Sequence, residues 1–218
     1  MTGARHSSAM VNRDTALVCA ARPHGEVGVI LRALTPGHGL VAAYVSGGRG
    51  REMRPVLIPG NSVSMEWRAN GPNQLPGARV EMMASRAPFL SEPLLAAAIQ
   101  WVTGLVAVAL PERHPYPALH SALEALLTAV CHAPSARGWV PGMVAFEALV
   151  LRELGYGDRM PDPAGDWDAI LRQFDATGAL LARYVLAERR GDVMGAREVL
   201  RARLGRISGA RDGEGWTT

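Results

Sequence analysis

The chain has no lysine: all 23 of its basic residues are arginine. Such a bias follows from a GC-rich genome, or from phosphate recognition, to which a guanidinium fork is better suited than an ammonium. Cysteine occurs only twice, at Cys19 and Cys131. The two lie far apart and outside any Cys-x-x-Cys pair, which argues against a zinc site and a disulfide framework. Both read as small buried apolar residues. No apolar run reaches the ~18 residues of a membrane span. The longest candidate, Leu94 to Leu110, is broken by Gln100, Thr103 and Gly104. Met1 to Asn12 lacks the apolar core of a secretory signal, so residues 1–13 read as a disordered tail on a cytoplasmic protein.

A catalytic constellation is also missing. Ser46, Ser62, Ser64 and Ser85 fall in strands or turns without a Gly-x-Ser-x-Gly elbow. His6, His24, His38, His114, His120 and His132 show no metal-binding spacing. Asp158, Asp162, Asp166 and Asp168 lack the ligand order and glycine of a calcium loop and read as a solvated acidic linker. The expectation is a protein that is not an enzyme and needs no cofactor.

Charge is unevenly spread. Residues 1–90 hold ten arginines against five acids, a net of +5; residues 91–170 carry −5 and residues 171–218 carry +3. The first stretch is the natural partner of a polyanion.

The texture of that stretch is β. Short apolar or alternating runs at 16–20, 27–34, 40–45, 63–68 and 79–84 predict five strands, separated by clusters of turn residues. Five short strands with a long third-to-fourth connection fit a small closed barrel of the OB type; an SH3-like barrel fits the pattern nearly as well. After Pro88 the apolar spacing becomes helical, predicting helices near 94–110, 117–130, 141–154, 166–187 and 192–204. The fold class is therefore α+β, a five-stranded barrel at 14–87 followed by an all-helical domain at 88–207. A linker is expected at about 157–165 and a second disordered tail at 208–218.

The long connection carries the most chemistry. Val45-Ser46-Gly47-Gly48-Arg49-Gly50-Arg51-Glu52-Met53-Arg54-Pro55 places three arginines within six residues on a loop that three glycines are expected to keep flexible. It is not a phosphate-binding P-loop, because no Gly-Lys-Ser/Thr end and no helix follow. An ordinary surface hairpin also carries arginines, so the loop alone does not decide. Trp67 beside Arg68 offers a second contact. Alternation with Val63 and Met65 puts Trp67 in the core and leaves Arg68 on the opposite face.

The order of these pieces resembles a family. Ala16-Leu17-Val18 through Arg22-Pro23-His24-Gly25-Glu26 is followed by Leu34-Thr35-x-x-His38-Gly39-Leu40, the arginine loop, and Pro55-Val56-Leu57-Ile58-Pro59-Gly60-Asn61. Further on comes Phe146-Glu147-x-x-x-Leu151-x-x-Leu154-Gly155-Tyr156-Gly157. Together they resemble the RecO recombination mediators of bacteria. The resemblance implies an OB barrel and a helical domain without a catalytic site. It implies binding of single- and double-stranded DNA, annealing of complementary strands, and loading of RecA, with RecR, on strands coated by single-strand-binding protein. The helical domain would recognise that protein's acidic C-terminal tail.

By position, Arg49, Arg51 and Arg54 would contact phosphates, with Arg22, Arg32 and Arg68 as further candidates. A non-enzymatic adaptor whose basic barrel docks an acidic partner is the alternative. Two features depart from the family pattern. Asp158 to Trp167 stands where many members carry a four-cysteine zinc module, so no zinc is expected. Val144 and Ala145 stand where some relatives have basic residues that hold the acidic tail; Arg152 and Arg172 are the candidates to replace them.

Overall fold

The computed structural model describes residues 11–68, 74–157, 163–187 and 193–209. Five strands, β1 (Val11–His24), β2 (Gly28–Thr35), β3 (Gly39–Val45), β4 (Ser62–Arg68) and β5 (Gly77–Ala84), close into a barrel in the order β1-β2-β3-β5-β4. The ring is antiparallel except where β3 meets β5 in parallel at Tyr44 and Gly77. This is the OB arrangement, and the long β1 makes it possible by pairing with β4 along its first half and with β2 along its second.

β1 begins at Val11, within the stretch expected to be a tail up to residue 13. Val11-Asn12-Arg13-Asp14-Thr15 has no apolar run, and its pairing with β4 from Arg68 to Ser64 is what makes it a strand. Residues 1–10 and 210–218 of the two expected tails, and 158–162 of the expected linker, lie outside the described residues.

A β-bulge at Cys19 sets which residues face outward. Before it, Ala16 and Val18 point into the barrel core, while Leu17 and Cys19 point towards the helices. The register then shifts by one, so Ala21 packs inward opposite Leu31 and Arg22 turns outward opposite Ile30. Without that extra residue, strict alternation would drive Arg22 into the core.

The helical domain consists of α1 (Pro93–Ala109), α2 (Pro117–His132), α3 (Val140–Glu153), α4 (Trp167–Leu180) and α5 (Val193–Gly209). The sequence reads 166–187 as one helix, but α4 ends at Leu180 and a π-helical turn, Leu181–Val185, follows. Among the described residues no helix is long and apolar enough to cross a membrane.

The two domains share one core. Leu17, Cys19, Leu34 and Leu40 join the buried residues of α1 to α5 in a single cluster. Asn61 and Arg86 lock the joint. The buried Asn61 amide donates to the carbonyls of Pro55 and Val56, and its Oδ1 accepts from the Arg86 backbone N–H at 2.8 Å. The Arg86 guanidinium donates to the Gly60 carbonyl and to Glu124 of α2.

A second polar centre sits inside the helical domain. Glu147 of α3, fully buried, accepts from Trp101 Nε1 of α1, Thr177 Oγ1 of α4 and both Nε and Nη2 of Arg197 of α5. Burial pushes the Glu147 carboxyl up, while the Arg197 guanidinium and the other donors pull against that shift. Four helices are tied to one carboxylate.

Candidate nucleic-acid interface

The arginine loop is a sequence of tight turns, not the flexible span expected from its glycines. Gly48 N–H donates to Val45, Gly50 to Gly47, Met53 and Arg54 to Gly50, and Val56 and Leu57 to Met53. Leu57 is buried in the barrel core, with Met53 and Val56 packed beside it. Gly47 supplies the positive φ of 67° that the first turn requires. Gly48 admits close packing, since a Cβ there would come within 2.8 Å of the Val29 Cβ. The glycines shape the loop, and its apolar half anchors it.

The anchoring divides the labour among the arginines. Arg49 donates from its backbone to Val27 and from Nη1 to the carbonyls of Gly25 and Glu26, at 3.1 and 3.0 Å. It staples the loop to the β1–β2 turn. Arg54 donates from Nε to the Arg49 carbonyl at 2.8 Å, and its Nη groups have no partner among the described residues. Arg51 is exposed and has no ion-pair partner among the described residues.

Arg22 is exposed on β1 towards this loop, because the β1–β2 turn that Arg49 grips begins three residues later, at Gly25. Across the sheet, Arg22 lies opposite Ile30, and Ile30 opposite Tyr44. The Tyr44 ring lies over Gly28, where any side chain would collide with it, and meets His24 edge-on with centroids 6.1 Å apart. The outer face therefore carries a half-buried aromatic ring on β3, two strands from Arg22. The sequence reading missed Tyr44, since Leu40-Val41-Ala42-Ala43-Tyr44-Val45 is apolar on both faces and gives no parity.

Arg68 is exposed at the end of β4 and lines a shallow groove of about 370 Å³ with Tyr44, Ser46 and Arg79. Arg79 is a further cation that the sequence reading did not select. Trp67 is in the barrel core, 5% exposed, with Arg68 on the other face as the alternation required. Arg32 stands apart. Its guanidinium is 3.2 Å from Glu112, just beyond α1, and the side chain is only 32% exposed, so it serves the joint between domains.

The candidates for partner binding are not brought together. Arg152 is exposed in the last turn of α3, 3.8 Å from the adjacent Glu153, and Arg172 is exposed on α4. No contact joins them. Val144 is buried in the helical core and only Ala145 faces out. The C-terminal arginines also have separate uses: Arg197 is buried against Glu147, and Arg201 makes a two-pronged pair with Asp175 at 2.6 and 2.8 Å. Arg189 and Arg190 lie outside the described residues. Among the described residues no three His, Cys, Asp or Glu side chains converge as metal ligands.

Comparison with known proteins follows the same two-domain division. Residues 10–85 match the family model for the N-terminal part of recombination protein O, and residues 90–160 match the model for its C-terminal part. The chain is 41% identical to the DNA repair protein RecO of Phenylobacterium zucineum over 145 residues, which are 66% of this chain and 58% of that protein. It is 42% identical to the DNA repair protein RecO of Rhodospirillum centenum over 145 residues, 66% of this chain and 56% of that protein. Over 173 residues it is 38% identical to the Caulobacter vibrioides protein of the same description, covering 78% and 70% of the two chains. The chain thus spans less than two thirds of the length of the first two relatives.

Proposed function

The chain belongs to the RecO family of DNA repair proteins, and from that premise we propose that it is a non-enzymatic recombination mediator that grips DNA backbones without reading bases. It binds single- and double-stranded DNA, anneals complementary strands, and with RecR helps load RecA on DNA coated by single-strand-binding protein. It does this in the cytoplasm, at the nucleoid.

The observation that supports this reading most directly is the outer barrel face. There Arg51 and Arg54 are exposed on a loop anchored in the barrel core, Arg22 is exposed on β1, and Arg68 is exposed at the end of β4 beside Tyr44. Guanidinium groups displace counterions from phosphates, which gives affinity without sequence information. An OB surface that carries one ring and several cations suits a flexible single strand. Annealing needs two backbones neutralised and brought close, with their base edges left free, and no helix projects from this face to occupy a groove.

Arg49 contributes mainly by holding the loop, and Arg32 by holding the domains. Arg152 and Arg172 remain the proposed contacts for the acidic tail of single-strand-binding protein.

A fluorescence strand-annealing assay, run with and without single-strand-binding protein, tests the reading. Acceleration in both conditions is expected; no acceleration in either overturns it. An adaptor that only docks an acidic protein gives no mobility shift with single-stranded DNA at moderate salt.

A further inference from the structure

A further open groove lies away from the arginine loop, on the helical domain. It has a volume of about 550 Å³ and is lined by Ala109, Pro111, Leu154, Tyr156, Arg183 and Tyr184 among others. Tyr156 and Tyr184 are 49% and 41% exposed, and their rings stack at 5.8 Å with an angle of 13° between planes. The Arg183 guanidinium lies 5.1 Å from the Tyr184 ring centre.

Two local structures hold the rings in place. Gly155, at φ 81°, ends α3 in a Schellman turn: Gly155 N–H donates to the Arg152 carbonyl and Tyr156 N–H to that of Leu151. Tyr156 stands at the position that usually folds back onto the helix, yet it projects outward. Tyr184 and Arg183 sit in the π-helical turn, where the one-residue change of register re-aims side chains, a device concentrated at functional sites. Exposed stacked aromatics are not needed for a core, and an exposed apolar patch is the informative case.

One end of the groove lies at the joint between the helical domain and the barrel. Pro111 lines it, and the next residue, Glu112, pairs with Arg32 on β2 and bridges to Leu40 of β3. We propose that Tyr156 and Tyr184 form a stacking platform for the bases of a single strand that runs from the barrel face past Glu112 onto the helical domain. The inference rests on the reading of the barrel as a DNA-binding surface. Parallel flat rings with an adjacent guanidinium suit nucleobases, every one of which has a π-face. Among the described residues, Glu112 pairs with Arg32 at 3.2 Å and Glu153 lies 3.8 Å from Arg152.

The test uses the full chain and fluorescein-labelled oligothymidylate, with anisotropy recorded across a salt series. Tyr156→Ala/Tyr184→Ala is expected to weaken binding roughly tenfold, with an unchanged salt slope. Tyr156→Phe/Tyr184→Phe keeps the affinity. An abasic oligonucleotide does not distinguish the alanine pair from wild type. Wild-type affinity in the alanine pair overturns the platform, as does equal loss in the phenylalanine pair. Intact DNA binding with loss of an acidic peptide overturns it in favour of a peptide site. If Arg49→Ala/Arg51→Ala/Arg54→Ala binds normally while the alanine pair does not, the barrel reading fails and the platform stands.

Discussion

Replacing Arg51 with alanine separates phosphate contact from scaffold, because Arg51 alone among the three loop arginines has no side-chain hydrogen bond among the described residues. A phosphate contact contributes about 0.7 to the salt slope on single strands and about 0.9 on duplex DNA. Arg51→Ala should therefore lower the slope by about that amount and leave the melting temperature unchanged. Arg49→Ala should also lower the melting temperature, since it releases two hydrogen bonds to the Gly25 and Glu26 carbonyls, each worth about 1 kcal/mol. Arg54→Ala falls between them, with one such bond to the Arg49 carbonyl. The triple variant should bind more than tenfold more weakly at low salt, with the slope reduced by about 2. A slope difference of that size shrinks the gap to wild type about 16-fold between about 50 and 200 mM salt. Fluorescence anisotropy against salt, beside differential scanning fluorimetry, reads both quantities. An unchanged slope in the triple variant refutes the loop as a phosphate path. A lowered melting temperature in Arg51→Ala refutes the division of labour.

Gly178→Ala should lower the melting temperature by several degrees, although glycine to alanine inside a helix ordinarily stabilises by about 1 kcal/mol. The added Cβ falls on the Arg197 guanidinium, and breaking its buried pair with Glu147 costs about 3–5 kcal/mol; a raised melting temperature in a thermal scan refutes this. Asn61→Ala should cost about 3 kcal/mol in urea unfolding and weaken DNA binding too, since one buried and two part-buried backbone groups at the loop and the joint lose their partner. A loss under 1 kcal/mol would show that the joint does not depend on it. Burial pushes the Cys19 thiol up to about 12, so it should resist a thiol reagent at pH 8 in the native protein. Cys131, partly buried and also raised, should react slowly, and both thiols should react in denaturant; two fast thiols in the native state contradict the burial.

Local pattern carried the strands and helices because apolar periodicity is a property of short windows. Val63, Met65 and Trp67 announced one face of β4, and the expected helix starts at 94, 117 and 141 fall within one residue of Pro93, Pro117 and Val140. What was not legible depended on partners distant in sequence. Val11 to Thr15 is a strand only because β4 lies beside it. No glycine or proline follows the end of α4 at Leu180 until Gly191. Arg197 looked like one cation in a basic C-terminal run, and nothing near it reveals that Glu147 waits 50 residues earlier.

The arginine loop shows why composition misleads about mobility. Three glycines and three arginines suggest a loose polycationic span, since glycine widens the conformations open to a free chain. Here that freedom is used up in fixed turns: Gly47 adopts its positive φ, Gly48 packs on Val29, and Leu57 closes the barrel below. Arg49 then spends part of its donor set on the neighbouring turn. A loop held in this way presents Arg51 and Arg54 from a fixed base, so phosphate binding loses less backbone entropy than a loose loop would require. The same tethering limits how far the two cations can follow a moving strand. Sequence tolerance must then come from the DNA, a flexible single strand adapting to a rigid set of guanidiniums, and stiff duplex should bind the face less well than single strands of equal length.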